Sequence, residues 1–457
     1  MKTTGRVCCA PLTPGPLALG LLLLGLLVGP TLTRANETGT HWPTWRGPTA
    51  NGISPDGDPP VHWSETENIR WKVEIPGLGS ASPVIWQDRL YILSAVSDAQ
   101  QMKEYETRAA EAREAGERVR GPGPMQQDYV VMALSRRDGS VIWQTTALSG
   151  MPPEGRHSEN SWASGSPVTD GEVLIAHFGS AGTFAYDLEG RELWSVDLGD
   201  MTTRNGFGEG SSPSIHGDRV VINWDHEGDS FIVALDKRSG EEIWRRERDE
   251  RTSWATPLIV EVDGKMQVIV PATARTRAYD LDNGEEIWSL AGMTVNTIPS
   301  PNYRDGIVYL ISGFRGSMLQ AVELARAKGD VEGTEALLWS YDRDTPYVPS
   351  ALLYGDQLYF LKGLNNILTS LSAVDGSVVF NQVRIEELKN IWASPVGAAG
   401  RVYIVSREGD AVVLEHGKEY KVLASNSLDD RFDATPAIVD DEIYLRGKTY
   451  LYCIAAP

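Results

Sequence analysis

The segment WATPLIVEVDGKMQVIVPATARTRAYDLDNGEEIW, residues 254–288, closely repeats the segment that precedes it. It begins with a small residue, a proline and an apolar run, and it ends with Asn-Gly-x-x-Ile-Trp. The preceding segment ends with ALDKRSGEEIW, residues 234–244. An internal period of this kind indicates a repeat architecture, so it has to be recognised before single elements are assigned.

The same unit recurs along most of the chain. From residue 167 onward, its proline, or the alanine in its place, returns at steps of 41–50 residues. These positions are Pro83, Pro167, Pro213, Pro257, Pro301, Ala351, Pro395 and Pro436. Each unit contains four short apolar or alternating runs with hairpin turns of the Asp-Gly, Asn-Gly or Ser-Gly type. Eight such units predict an all-β protein, an eight-bladed β-propeller of four-stranded antiparallel blades.

A tryptophan closes most units, and we expect it to pack between neighbouring blades. These residues are Trp71, Trp143, Trp194, Trp244, Trp288 and Trp339. The last unit, residues 435–457, supplies only three strands. Residues 68–77, NIRWKVEIPG, have the pattern of the missing outer strand. We therefore expect the propeller to span residues 68–457, with strand 68–77 joining the C-terminal blade, because closure removes exposed sheet edges.

One insertion interrupts the first repeat, which is about one blade too long. Residues 98–120 are rich in Ala, Glu and Arg, and Glu104 precedes Arg108 by one helical turn. This pattern predicts a solvated helix. The helix is a solvent-exposed excursion, a partner-binding arm or a flap over the funnel of the propeller.

The N-terminus has the pattern of a secretory signal peptide over residues 1–35. Lys2 and Arg6 precede an apolar core at residues 17–28, and cleavage is expected near Ala35. The alternative is an uncleaved N-terminal anchor. We predict an exported protein, periplasmic or extracellular, with a lead-in over residues 36–67. Cys453 is then the only cysteine, so the mature chain has no internal disulfide.

The charge limits the possible partners. The formal net charge of −20 repels the phosphate backbone, which argues against a nucleic-acid partner. We expect a monomer without a transmembrane segment in the mature chain. Its partners are other proteins, or a small ligand in the funnel.

The Ala-x-Asp-x-x-x-Gly-x-x-x-Trp segments resemble the tryptophan-docking repeats of quinoprotein-type eight-bladed propellers. That superfamily includes pyrroloquinoline quinone (PQQ) dehydrogenases and BamB-type subunits of the outer-membrane β-barrel assembly machinery. The lead-in WPTWRGPTANGIS, residues 42–54, is similar to that of secreted PQQ-like proteins of planctomycete type. The resemblance implies the fold, and it leaves PQQ with Ca²⁺ as a possible cofactor pair.

The chain departs from these families in three respects. PQQ alcohol dehydrogenases resemble one another in a vicinal disulfide above the quinone, whereas the only Cys-Cys pair here, Cys8–Cys9, lies in the signal segment. The chain has no Cys-x-x-Cys-His motif for c-type haem. It also lacks the lipobox cysteine that BamB-type proteins usually carry.

Propeller geometry places two classes of loop on one face, around the funnel. These loops hold mixed charges, which make a plausible ligand-binding site on a rigid scaffold. The candidate residues are Arg204, Asp225, His226, Glu227, Arg248, Glu250, Arg275, Arg315, Arg343, Arg407 and Arg446.

The loop WDHEGDS, residues 224–230, is the richest in chemistry. Asp225, Glu227 and Asp229 are candidates for a hard-cation site, and Asp225 with His226 are candidates for proton transfer. An ordinary solvated acidic loop is the alternative. Likewise, the funnel arginines either bind a carboxylate or sulfated ligand or pair with the funnel glutamates.

We therefore predict a protein-interaction scaffold or ligand-binding module, without bound quinone. The alternative is a PQQ- and Ca²⁺-dependent dehydrogenase, in which Asp225 would abstract the substrate proton and the cofactor would carry the oxidation. A third possibility is a carbohydrate-directed activity, which rests on the arginines and aromatic residues of the funnel.

Overall fold

The computed structural model describes residues 41–456, so the predicted signal segment lies outside the described residues. No helix within 41–456 is both long enough and apolar enough to cross a membrane. The strands, in chain order, are β1 (His41–Trp42), β2 (Ile53–Ser54), β3 (Ile69–Glu74), β4 (Val84–Trp86), β5 (Arg89–Ser97), β6 (Gln127–Ser135), β7 (Val141–Gly150), β8 (Val168–Thr169), β9 (Leu174–His177), β10 (Thr183–Tyr186), β11 (Glu192–Val196), β12 (Ser214–His216), β13 (Arg219–Trp224), β14 (Phe231–Asp236), β15 (Glu242–Glu247), β16 (Leu258–Val262), β17 (Lys265–Val270), β18 (Arg275–Asp280), β19 (Glu286–Ala291), β20 (Asn302–Arg304), β21 (Ile307–Ser312), β22 (Met318–Glu323), β23 (Gly329–Asp330), β24 (Leu337–Tyr341), β25 (Leu352–Tyr354), β26 (Gln357–Leu361), β27 (Ile367–Ser372), β28 (Val378–Arg384), β29 (Val396–Ala398), β30 (Arg401–Val405), β31 (Asp410–Glu415), β32 (Val422–Ser427), β33 (Ala437–Val439), β34 (Glu442–Arg446) and β35 (Tyr450–Ile454).

These strands form eight antiparallel blades, which confirms the predicted eight-bladed propeller. From inner to outer strand, blades 1–4 are β4–β7, β8–β11, β12–β15 and β16–β19. Blade 5 is β20, β21, β22 and β24, and blades 6 and 7 are β25–β28 and β29–β32. Blade 8 is β33, β34, β35 and β3, so a strand from the N-terminal part of the chain completes the C-terminal blade, as the sequence predicted.

The strand patterns follow from burial. The second strand of blade 3, RVVINW, is apolar and almost entirely buried, because neighbouring blades cover both of its faces. The outer strand, EIWRRE, buries only its tryptophan and exposes most of the rest. Each inner strand follows a Ser/Thr-Pro or Ser-Ala pair, a position at which the sheet tolerates a missing N–H.

The repeated Trp and Gly form one contact between adjacent blades. The turn glycine of one blade packs on the tryptophan of the blade before it, so a Cβ there would lie within 3 Å of the indole. The pairs are Trp71 with Gly139, Trp143 with Gly190, Trp194 with Gly240, Trp244 with Gly284, and Trp339 with Gly376. Trp288 differs because blade 5 has a longer connection there, and the inserted β23 pairs in parallel with β19.

The insertion in blade 1 contains the helix α1 (Ala99–Glu114), which connects β5 to β6. Asp98 caps its N-terminus by accepting a hydrogen bond from the backbone N–H of Gln101 at 2.9 Å. Ala109 is the only buried residue of the helix. The sequence thus predicted the helix correctly. The helix α1 lies on the propeller surface, and its residues line a cavity that is described in the last part of the Results.

Candidate functional site

A closed ring of hydrogen bonds surrounds the propeller axis. Before each inner strand, one Ser or Thr donates its backbone N–H to the side-chain hydroxyl of the equivalent residue in the next blade. The eight distances lie between 2.9 and 3.1 Å. In chain order the residues are Ser82, Ser166, Ser212, Thr256, Ser300, Ser350, Ser394 and Thr435. Each hydroxyl accepts one N–H, which leaves its own hydrogen free to donate to another group.

A second layer lies two residues before each hydroxyl and lines an axial cavity of about 460 Å³. In blades 4–7 this layer is Trp254, Ile298, Val348 and Trp392. In blades 8, 1, 2 and 3 it is Asp433, Ser80, Ser164 and Gly210. The axial cavity therefore has an apolar wall on one side and a polar wall on the other.

Aromatic rings dominate the lining of this cavity. Six of them are partly exposed instead of packed into the core: Trp45, Phe207, Trp254, Phe314, Tyr347 and Trp392. Phe314 and Tyr347 stack with their centroids 4.5 Å apart. The Arg407 guanidinium lies 3.8 Å from the centroid of Trp392. Such part-exposed aromatic surface in a concave site is typical of ligand pockets.

The lead-in contributes to the lining of the axial cavity. Its strands β1 and β2 pair with the inner strands β4 and β29, and Trp45 between them lines the cavity. Arg46 is buried and donates to the carbonyl oxygens of Pro395 at 2.9 Å and Ala351 at 2.7 Å. Burial lowers the pKa of Arg46 to about 9, which leaves it charged at neutral pH.

The segment 151–165, between β7 and β8, contributes to the polar wall. Asn160 donates to the carbonyl oxygen of Phe207 at 2.9 Å. Glu159 accepts hydrogen bonds from Arg431 at 2.7 Å and from Arg407, and Arg407 also pairs with Asp433. Two carboxylates and two arginines thus neutralise one another at this wall.

The predicted candidate Asp225 lies in a buried ion pair. Arg248 donates to its two oxygens at 2.7 and 3.1 Å, and both side chains are fully buried. Ser253 donates to the same carboxylate at 2.6 Å. Burial lowers the pKa of Arg248, but Asp225 and Tyr279 outweigh it, so the pKa is raised overall. With its hydrogen bonds taken by protein groups, this carboxylate has a structural environment.

The neighbouring acidic residues also have internal partners. The imidazole of His226 accepts the backbone N–H of Thr202 at 3.1 Å, and Glu227 accepts the hydroxyl of Thr252 at 2.9 Å. Glu250 is buried and pairs with Arg277. Burial raises the pKa of Glu250. Within residues 41–456, no group of three or more His, Cys, Asp or Glu side chains is arranged to hold a metal ion, so Asp225, Glu227 and Asp229 remain unsupported as ligands.

The predicted arginines are dispersed. Arg275 pairs with Asp330 of β23 at 2.6 Å, beside the outer strand of blade 4. Arg315 and Arg343 are exposed, and Arg204 lies in a short 3-10 helix. Arg446 is buried. None of the eleven candidates lines the axial cavity, although Arg407 lies directly behind Trp392.

The axial lining was not among the residues predicted from the sequence, because those residues are the charged ones of the loops, whereas most of the lining is uncharged. The repeat itself marks these lining residues, because each stands two positions before the Ser or Thr that begins the Ser/Thr-Pro or Ser-Ala pair. A period of one lining residue per blade would have given the apolar wall directly.

A smaller cavity between blades 2 and 3 is lined by the carboxylate of Glu209. Glu209 accepts the backbone N–H of Ser180 at 2.8 Å and also its hydroxyl. Burial raises the pKa of Glu209 to about 7. Glu154 lines the same cavity, and burial raises its pKa too. Of these two carboxyl groups, Glu209 is the one whose pKa lies near neutral pH.

Solved structures with a similar fold include the following three. BamB from Moraxella catarrhalis superposes with a TM-score of 0.53 at 15% identity, covering 71% of this chain and 91% of its own. A europium-containing methanol dehydrogenase gives 0.59 at 11% identity, with 90% and 89% covered. The quinohemoprotein alcohol dehydrogenase ADHIIG from Pseudomonas putida gives 0.55 at 10% identity, with 91% and 80% covered. At these identities the likeness establishes the fold.

Comparison with curated protein sequences finds no match. Comparison with family models gives a match to the outer membrane protein assembly factor BamB, in overlapping stretches at residues 53–223, 127–291, 180–335 and 228–456. Together these stretches cover nearly all of the propeller. The chain therefore belongs to the family of the outer membrane protein assembly factor BamB.

Proposed function

We propose that this protein is an exported binding module that holds an amphipathic ligand in its axial cavity. The observation that carries the proposal is the division of this cavity into an apolar wall on blades 4–7 and a polar wall on blades 8, 1, 2 and 3. A ligand with one apolar face and one hydrogen-bonding face complements both walls at once.

The apolar wall supports binding because it leaves aromatic surface uncovered. The tryptophans between blades, such as Trp194 and Trp244, are buried. Trp254 and Trp392, which come from the axial layer, remain partly exposed. Apolar surface in contact with water is unfavourable by about 25 cal/mol per Å², so a ligand that covers these rings gains affinity.

The polar wall supports a neutral hydrogen-bonding face on the ligand. Seven of the eight ring hydroxyls line the cavity, and each retains a hydrogen to donate, whereas the Asn160 amide is already held by the carbonyl oxygens of Phe207 and Glu209. Glu159 and Asp433 are already neutralised by Arg407 and Arg431. A sugar or another polyhydroxylated molecule has this combination of apolar C–H faces and hydroxyl edges, which brings forward the carbohydrate alternative.

The residues present do not fit PQQ with Ca²⁺. PQQ carries three carboxylates, whereas the axial cavity is lined by Glu159, Glu209 and Asp433 and by no lysine or arginine. The expected catalytic carboxylate, Asp225, is held by Arg248 and Ser253. The axial lining offers no arginine or lysine to pair with the carboxylates of PQQ, which counts against the dehydrogenase alternative.

Contact with other proteins is a further part of this proposal. The family name, outer membrane protein assembly factor, supports a role outside the cytoplasm and alongside protein partners. The predicted signal peptide at residues 1–35 supports the same location.

The test is a ligand-observed NMR screen of neutral sugars and small aromatic alcohols against the mature chain. Gly210→Phe places a ring into the axial cavity, since Gly210 lies on the cavity wall without a positive φ. Gly417→Phe is the matched control, because a Cβ at Gly417 meets nothing within 4 Å. We expect ligands that bind the wild type and the control but not Gly210→Phe. Equal binding to all three proteins would overturn the axial site.

A further inference from the structure

A third cavity, which we call the α1 pocket, lies between α1 and the face of blades 8 and 1. Its volume is about 510 Å³. Tyr105 and Ala109 line it from the helix, and Leu78 and Arg446 line it from the blades. It adjoins the axial cavity, with which it shares several lining residues, but it differs from that cavity in its charge.

Two buried arginines line the α1 pocket. Arg446 is 3% exposed and donates to the carbonyl oxygen of Leu93 and the hydroxyl of Ser94, both at 2.7 Å. Arg156 is 6% exposed, donates to the carbonyl oxygens of His157 and Asn160, and lies 4.7 Å from the ring centroid of Trp162. In each guanidinium the buried Nε has no hydrogen-bond partner among residues 41–456.

Neither arginine pairs with a carboxylate of residues 41–456, although other buried arginines do. Arg248 pairs with Asp225, and Arg277 pairs with Glu250. A buried charge without a counterion is destabilising, because its burial removes it from water. The chain has a net charge of −20, so two buried arginines without carboxylate partners on one pocket differ from the acidic character of the rest of the protein.

The surroundings of the pocket strengthen this positive character. Arg113 and Lys448 also line it, and neither has an ion pair within the described part of the chain. Of the three acids on its wall, Glu159 and Asp433 are neutralised by Arg407 and Arg431, and Glu106 is exposed on α1. Burial lowers the pKa of nearby His157, and Arg118, Arg407 and Arg156 lower it further.

We propose that the α1 pocket binds an oxyanion, a carboxylate, phosphate or sulfate group of a ligand, through Arg156 and Arg446. The planar guanidinium with its fixed N–H donors suits such groups. Burial lowers the pKa of each arginine to about 10, so both remain protonated at neutral pH. This inference is independent of the neutral ligand proposed for the axial cavity.

The experiment is an isothermal titration of the mature chain with inorganic phosphate, sulfate and acetate, at constant ionic strength with chloride as the balancing ion. We expect saturable binding of at least one anion, with preference between acetate and the tetrahedral anions distinguishing a carboxylate from a phosphate or sulfate ligand. Arg446→Gln and Arg156→Gln should each raise Kd about tenfold or more. The control Arg315→Gln changes an exposed arginine that lines neither cavity, and its Kd should equal that of the wild type.

Folding is checked by circular dichroism before each titration. If the buried variants do not fold, the rim variants Arg113→Ala and Lys448→Ala replace them, with an expected rise of about threefold, as for partly screened charges. The absence of saturable binding to all three anions would overturn the inference. The inference would also be overturned if neither Arg446→Gln nor Arg156→Gln changed the Kd, or, where the rim variants are used, if neither Arg113→Ala nor Lys448→Ala did.

Discussion

The backbone N–H of Thr435 donates to the hydroxyl of Ser82 at 3.0 Å and thereby links blade 8 to blade 1. The ring is closed a second time at the outer edge of blade 8, where β3 pairs with β35. The propeller is thus closed by an inner ring of hydroxyls and by an outer strand pairing. Each blade depends on its neighbours for hydrogen bonds as well as for apolar contacts.

Removing one hydroxyl from the inner ring should destabilise the protein. Thr435→Val keeps the side-chain shape but leaves the backbone N–H of Ser394, which now donates to Thr435 at 3.0 Å, without an acceptor. We expect the free energy of unfolding to fall by about 1–3 kcal/mol. Urea unfolding measures it, and the exposed Thr449→Val is the control. Equal midpoints for the two variants would contradict a stabilising ring.

Breaking the buried ion pair of Asp225 and Arg248 should lower the free energy of unfolding by more than the loss of one ring hydroxyl does. Asp225→Asn leaves Arg248 charged and uncompensated in the interior, so we expect a loss of about 3–5 kcal/mol. The double variant Asp225→Leu with Arg248→Met removes both charges, so its loss of stability should be smaller than that of Asp225→Asn. The surface pair of Asp218 with Arg219 provides the control variant Asp218→Asn, with an expected loss of at most about 1 kcal/mol. A double variant that is no more stable than Asp225→Asn would contradict this account.

Glu209 should make the stability depend on pH. Its folded pKa is raised by burial to about 7, above the ordinary value of 4.5, so the folded state holds the proton more tightly than the unfolded state. Stability from this group is present below pH 4.5 and is lost as the pH rises towards 7. The melting temperature of the wild type should fall over this range relative to that of Glu209→Gln. Parallel pH profiles of the two proteins would show that the group does not titrate there.

The contact between tryptophan and glycine can be separated from backbone strain. Gly376 and Gly400 both have a φ of +71°, but a Cβ at Gly376 would lie 2.7 Å from the ring of Trp339, while at Gly400 it meets nothing within 4 Å. Both alanine variants bear the strain of a positive φ, about 1–2 kcal/mol. We expect Gly376→Ala to lose more than Gly400→Ala by chemical unfolding. A loss of equal size would mean that the glycine serves only the turn.

Export can be tested on the N-terminus. If residues 1–35 are a cleaved signal, the protein recovered from outside the cytoplasm begins at Asn36. Intact-mass analysis of that fraction distinguishes it from a retained anchor, which would keep the mass of the full chain and sediment with membranes.

The repeat predicted the propeller because one physical constraint recurs in every blade. Each Ser/Thr-Pro pair starts an inner strand, and each Trp packs on the next blade, so the period is visible without an alignment. The lining of the axial cavity was also accessible, since Trp254, Trp392 and Asp433 occupy equivalent positions of the unit.

The partners of the charged residues could not be predicted in this way. Arg248 and Arg446 are both loop or strand-end arginines in the sequence, yet one meets Asp225 and the other meets the carbonyl oxygen of Leu93, 353 residues away. Which acid reaches which arginine depends on how loops of different blades converge. That convergence is set by packing across the ring, beyond the reach of a local pattern.

The most direct test of the central claim is a crystal structure of the mature protein with the tightest neutral ligand from the screen. The account predicts ligand density within the axial layer, with its apolar face towards Trp254 and Trp392 and its polar edge towards Ser80 and Asp433. Density only on the outer surface of the blades, with the axial cavity holding solvent alone, would contradict it.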